Sequence, residues 1–350
     1  MIRDVCSGVL SKVSRLLVLT LVAASCGELH RRPAPVDDSS IAAVLDGKSV
    51  KLGLDGAKLA RIDPVPAAHA SNRVVWPPIV DSHVHVTYWP IADKLATTGI
   101  ATVVDLAAPE SALGTTFPLR VIAAGPMLTR PGGYPLESWG ADGYGIACSD
   151  ETCVAQTIDR LAGKGARVVK IAMGDNGLDA KLVPIAVARA HAKNLKVAVH
   201  ALGDASARLA GAAGADLLAH TPVEPLDDAT IAAWRGKAVI STLAAFGSPV
   251  APDNLKKLRA AGCVVLYGTD LGNLRDPGPS TTEVLLLRRA GLDDAAITEA
   301  MTTAPARFWG LPAITVGNDA SFLLLDRDPR TDASVLLQPS GVWLHGKRVR

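Results

Sequence analysis

Eight short apolar runs recur along the middle of the chain, at 79–86, 101–106, 120–124, 167–172, 196–200, 216–220, 238–242 and 263–269. Most are followed by an Ala-rich amphipathic stretch, as at 152–163, 182–193, 205–213 and 254–261. Strands alternating with helices need crossover connections, and these make the sheet parallel. Eight such units predict an α/β fold, a (β/α)8 TIM barrel over 79–312. An open doubly wound sheet is the alternative, but no Gly-x-Gly-x-x-Gly follows the first run to support dinucleotide binding. A chain of 350 residues is long enough for one barrel with a small accessory.

The flanks have a different rhythm. Between Val44 and Pro78 short apolar alternations are cut by Gly47, Gly53, Gly56 and Pro64, and residues 321–326 and 342–349 alternate in the same way. The two ends, 41–78 and 313–350, are expected to build one small β-sandwich-like domain. Residues 27–40, rich in Pro, Asp and Ser, read as a flexible tether.

Residues 1–26 carry Arg3, Lys12 and Arg15 ahead of an apolar run at 16–24, then Ser25 and Cys26. A basic segment, a short apolar stretch and small residues describe an export signal, and the run is short for a membrane span. Ala24-Ser25-Cys26 resembles a bacterial lipoprotein cleavage box, with Ala23 where Leu is usual. That resemblance implies a periplasmic or membrane-anchored lipoprotein held by lipid on Cys26. Cys148 and Cys153 are near enough in sequence to bridge in an oxidising compartment. With no Cys-x-x-Cys pair, the cysteines do not describe a zinc site. A formal charge of +2, without a Lys/Arg run in the body, gives no reason to invoke nucleic acid.

Polar residues punctuate the apolar runs. Alternation in 79–86 puts Asp81, His83 and His85 on one face. Lys170 stands alone in its run; His200 and His220 each end one; the last runs into Asp270. Singly, each has an ordinary explanation: a hydrogen-bonded core histidine, an ion-paired lysine, a helix-capping aspartate. Together they end separate strands of one sheet, where barrel enzymes place their chemistry.

On these residues the chain resembles the amidohydrolase superfamily, in its branch near imidazolonepropionase and the metal-dependent prolidases. Pro78-Ile79-Val80-Asp81-Ser82-His83-Val84-His85 looks like the first-strand signature, and Thr98-Gly99-Ile100 through Asp105 is similar to the second strand with its lead-in. Val169-Lys170-Ile171, His200-Ala201, His220-Thr221 and Gly268-Thr269-Asp270 resemble the fourth, fifth, sixth and eighth strands. Ala304-Pro305-Ala306-Arg307 and Val316-Gly317-Asn318-Asp319-Ala320 look like the exit into the small β domain.

The resemblance implies two divalent metal ions, zinc by preference. His83, His85 and Asp270 would hold the first, His200 and His220 the second. Lys170 would bridge them as a carbamate, or remain an ion-pairing lysine beside one metal. A metal-bridging hydroxide would attack an amide or related carbonyl bond, with Asp270 taking its proton. A dipeptide or N-acyl amino acid is the substrate the resemblance implies; lactone or phosphoester hydrolysis, and a non-catalytic metal- or ligand-binding surface lipoprotein, are the alternatives. Deamination is disfavoured, because Gly203 stands where deaminases carry a carboxylate, and Lys170 disfavours imidazolone ring opening. Tyr88, Arg130, Tyr134, Asn273 and Arg275 follow the strand ends and are candidate substrate contacts, the arginines equally readable as loop charges. An oligomer is compatible with all of this.

Overall fold

The structure is a computed structural model that describes residues 40–67 and 71–350. The expected export signal, Cys26 and the tether up to residue 39 lie outside the described residues, as does His69. The strands are β1 Ser40–Leu45, β2 Lys48–Asp55, β3 Lys58–Pro64, β4 Val74–Trp76, β5 Ile79–Val84, β6 Ile100–Asp105, β7 Arg120–Ala123, β8 Met127–Thr129 and β9 Gly145–Ala147. They continue as β10 Val168–Ala172, β11 Lys196–His200, β12 Leu217–Leu218, β13 Ala238–Ile240, β14 Val264–Leu266, β15 Phe322–Leu325, β16 Gly341–Leu344 and β17 Lys347–Arg348.

Every one of the eight apolar runs contains one of these strands, and all pair in parallel. One sheet runs β5-β6-β7 and another β14-β13-β12-β11-β10-β8-β9. β5, β6 and β10 are buried along their whole length, as expected of parallel strands covered on both faces. Helices Glu151–Gly163, Val183–Ala192, Asp204–Ala212 and Ala251–Ala260 occupy the amphipathic stretches, each within a few residues of its predicted bounds. Backbone bonds join the two sheets at both seams. Ser82 N donates to Tyr267 O (2.8 Å) and Asp270 N to His83 O (2.8 Å), while Arg167 N donates to Ala123 O (3.1 Å).

Two features depart from the sequence expectation. β8, between Pro126 and Pro131, and β9 have no counterpart among the eight apolar runs: each spans three residues, too short to show a period. β5 does not alternate strictly either, because its pairing with β6 slips between Asp81 and Val84. Asp81 therefore parts from the two histidines and serves a different end, described below.

The chain ends meet in one seven-stranded sheet of order β17-β16-β15-β4-β1-β2-β3, where the sequence predicts a sandwich-like domain. β4 is the reason, since Val74 pairs with Val44 on one side and Leu325 on the other, joining both ends edge to edge. Two-residue turns at Asp46-Gly47 and His345-Gly346 close its tight hairpins, both residues of each at positive φ. Phe322 stacks on Trp343 at 5.1 Å in its core. The described residues form a single compact unit. Cys148 and Cys153 are joined in a disulfide, Cα to Cα 5.4 Å, and Cys263 is a buried free thiol. Among the described residues no helix is long and apolar enough to cross a membrane.

Candidate metal centre

One cavity of about 240 Å³ gathers His83, His85, Lys170, His200, His220 and Asp270, and Met127, Tyr134, Trp139, Ala245, Phe246 and Asn273 complete its lining. The strands explain the convergence. His83 is in β5, His85 one residue beyond Val84, Lys170 in the middle of β10, and His200 the last residue of β11. His220 and Asp270 follow β12 and β14 by two and four residues. These are the C-terminal ends of parallel strands, where side chains from separate elements face one opening.

The side chains are close and unusually bare. His83 and His220 ring centroids are 4.3 Å apart, His83 and His85 5.1 Å, and His200 and His220 4.9 Å. Asp270 Oδ1 lies 3.1 Å from His85 Nε2 and 3.5 Å from His83 Nε2, and the ligand atoms of this trio all lie within 4.8 Å of one another. His83 Nδ1 is 2.7 Å from the carbonyl of Ala219. A carbonyl can only accept, so the proton sits on Nδ1 and Nε2 keeps a free lone pair. His83 Nε2, His85 Nδ1 and Lys170 Nζ are buried with no hydrogen-bond partner. Orphaned nitrogens of this kind are costly in a core, and His83, His85 and Asp270 together offer donors of the kind that could hold a divalent cation.

Burial also sets the charge states. Desolvation holds the His83 and His220 imidazoles well below the ordinary histidine range, and brings His200 down to about 3, each with help from neighbouring cations. Desolvation lowers the Lys170 ammonium to about 7, against an opposing pull from Asp270. Neutral imidazoles are the form that ligates metal.

A layer of polar contacts fixes these groups. Asn273 Nδ2 reaches both oxygens of Asp270, at 3.1 and 3.3 Å, and Asp270 itself adopts φ 60°. Asp105 accepts from the amide and hydroxyl of Thr87, at 3.1 and 2.7 Å, tethering the turn after His85. Asp81 accepts from Thr269 N (3.0 Å), Thr269 Oγ1 (2.6 Å) and His83 N (3.2 Å), and so ties the first strand to the Asp270 turn. Burial pushes its carboxyl up to about 7, with the Thr269 contacts opposing. Asp81→Ala strands three buried donors and is expected to cost roughly 1–3 kcal/mol in urea unfolding of metal-free protein. A change under about 0.5 kcal/mol, the range of an ordinary surface substitution, would contradict that tie.

The five candidate substrate contacts divide. Tyr134 and Asn273 line the cavity, and Tyr134 Oη accepts from Trp139 Nε1 at 3.2 Å. Tyr88 packs outside the lining against Trp139 and Tyr144, centroids 5.7 and 5.5 Å away. Arg275 lies over Trp89, 4.0 Å from its centroid. Arg130 donates to Asn176 Oδ1 at 2.8 Å and borders a separate opening of about 490 Å³. His191 and His345, outside the cavity, pair with Asp216 and Asp319. Trp139, in a loop, and Phe246, in a helix of four residues, carry no periodic signal in the sequence.

No protein-family model and no curated protein matches the chain. Solved structures do. A Xaa-Pro dipeptidase with methionine in its active site superposes with a TM-score of 0.72 at 18% identity, over 86% of this chain and 95% of that one. An amidohydrolase gives 0.68 at 18%, over 85% and 94%. The chain shares the fold of these solved structures. A prolidase complexed with N-methylphosphonate-L-proline shares it, with a TM-score of 0.69 at 20% identity over 86% and 95%. At these identities the amidohydrolase likeness concerns the fold, and the chemistry has to be argued from the cavity.

Proposed function

We propose that this chain is a metal-dependent hydrolase that cleaves an amide or related carbonyl bond. The observation that carries the proposal is the ring of bare buried nitrogens around Asp270 in a single cavity. The parallel strands are read as a closed (β/α)8 barrel, supported by the seam bonds, with the terminal sheet as an accessory β domain. His83, His85 and Asp270 would hold one divalent cation and His200 with His220 a second, zinc being the favoured ion. Lys170, buried and readily neutral, is in the state that takes up carbon dioxide to form a bridging carbamate. When bound, the cations would polarise the substrate carbonyl and make water acidic enough to react near neutral pH.

The chain's own groups do the rest. Asp270 accepts a proton from the attacking water and returns it to the leaving group, while Asn273 holds the plane of its carboxylate. Trp139 and Phe246 flank the histidines and exclude bulk water from the reacting bond. A dipeptide or N-acyl amino acid is the proposed substrate, with support from the names of the Xaa-Pro dipeptidase and the prolidase that share the fold. Arg130 and Arg275 lie off the lining and are therefore assigned no role in clamping it. The Cys148–Cys153 bridge supports export to an oxidising compartment, with a lipid on Cys26 as the proposed anchor.

A screen of dipeptides, N-acyl amino acids and lactones with added zinc or manganese tests the reading. Turnover is expected on an amide class and should vanish with a chelator. Turnover confined to lactones would overturn the substrate assignment. Retention of ligands without turnover of any would favour a binding protein.

A further inference from the structure

Helix Thr281–Arg289 buries a carboxylate for which the hydrolytic reading has no use. Glu283 is wholly buried, and its two oxygens accept from the amides of Leu243 (2.9 Å) and Ala244 (2.8 Å). Those amides open the short helix Leu243–Phe246, whose last two residues, Ala245 and Phe246, form part of the cavity wall. The residue before the helix is Thr242, at φ 37° and ψ 36°. A β-branched residue adopts this left-handed conformation only where its surroundings impose it. Thr242 N donates to Gly268 O at 3.2 Å, and Thr242 Oγ1 lies 3.0 Å from His220 Nδ1.

The clamp is itself held. Ser280 Oγ caps the Glu283 amide at 3.2 Å, and Ser280 N donates to Tyr267 Oη at 2.7 Å. Both oxygens of Glu283 are needed, because two adjacent amides point at it. A glutamine there would offer one acceptor and turn an NH2 toward the other donor. Without the clamp, the bond from Thr242 N to Gly268 O remains but the two amides that follow Thr242 are released, and an extended Thr242 would carry its hydroxyl away from the imidazole.

We propose that Glu283 is a positioning residue: by fixing the Leu243 and Ala244 amides it holds Thr242 left-handed, and the Thr242 hydroxyl in turn fixes the ring orientation of His220. Its importance for metal rests on the reading of His220 as a ligand; the contact itself does not. Partners that orient a ligating histidine in this way are typically worth about 10- to 100-fold in metal affinity.

The test uses the full chain, 15N-labelled at histidine. In metal-free protein His220, assigned by its loss in His220→Gln, is expected to give one set of ring nitrogen signals marked by the hydrogen bond to Thr242. Thr242→Val and Glu283→Gln should each shift or split those signals, Thr242→Ser should leave them near wild type, and the double variant should match Thr242→Val alone. Zinc affinity, read by competition with a chelator, should fall about 10- to 100-fold for one ion in the same variants. Glu283→Asp, which withdraws the oxygens by one methylene, is read in the same way should Glu283→Gln fail to fold. A Glu283 variant that loses stability yet leaves the His220 ring signals at their wild-type positions would overturn the proposal. If the wild-type chain bound no zinc, the hydrolytic reading would fall and the ring-signal result would still decide this one.

Discussion

Asp270→Asn is expected to lower kcat for amide hydrolysis by roughly 10²- to 10⁴-fold at saturating zinc, the usual worth of a positioned general base. Asparagine keeps the size of the side chain but cannot accept the proton. It also tolerates the φ of 60° that position 270 adopts, so the backbone should not confound the result as an alanine would. Asp270 Oδ1 lies 3.1 Å from His85 Nε2, and, Asp270 being a proposed metal ligand, its replacement should also weaken metal binding. Kinetics at several zinc concentrations separate the two effects. Activity within a few-fold of wild type at saturating zinc would remove Asp270 from the chemistry.

Lys170→Met should move activity and stability in opposite directions. Lys170 is fully buried in the middle of β10 and its Nζ has no hydrogen-bond partner. A buried cationic group without a partner destabilises a fold, and exchanging buried charge for apolar volume often gains about 1–4 kcal/mol. Metal-free Lys170→Met should therefore unfold at higher urea than metal-free wild type. Hydrolysis should fall by at least the roughly 10- to 100-fold lost when even an indirect partner of a bound metal is removed. That opposition is what a residue retained for function at the expense of stability produces. A variant that is both less stable and still active would mean that Lys170 is an ordinary core residue.

Much of this was legible in the sequence, for physical reasons. Parallel strands buried on both faces read as unbroken apolar runs, so a histidine or lysine within one stands out. His83, Lys170 and His200 were visible on that ground alone. Loop residues were less readable. Nothing in a sequence shows that the Arg275 guanidinium rests on Trp89 or that Arg130 is taken by Asn176, yet those contacts draw both arginines away from the cavity. Trp139 and Phe246 line it from segments without a period, and β8 is too short to have one. Glu283 looks like a solvated helix charge until the fold brings the Leu243 and Ala244 amides against it. Asp81 shares its spacing with His83 and His85, and only the slipped pairing of β5 separates its role from theirs.

The bare nitrogens of His83, His85 and Lys170 beside Asp270 are proposed to mark a site for divalent metal. Elemental analysis of protein purified under metal-replete conditions reads this out. Two tightly bound divalent ions per chain are expected, zinc foremost, with a fall toward one or none in the Lys170 and Asp270 variants. Fewer than one ion per wild-type chain would contradict the account.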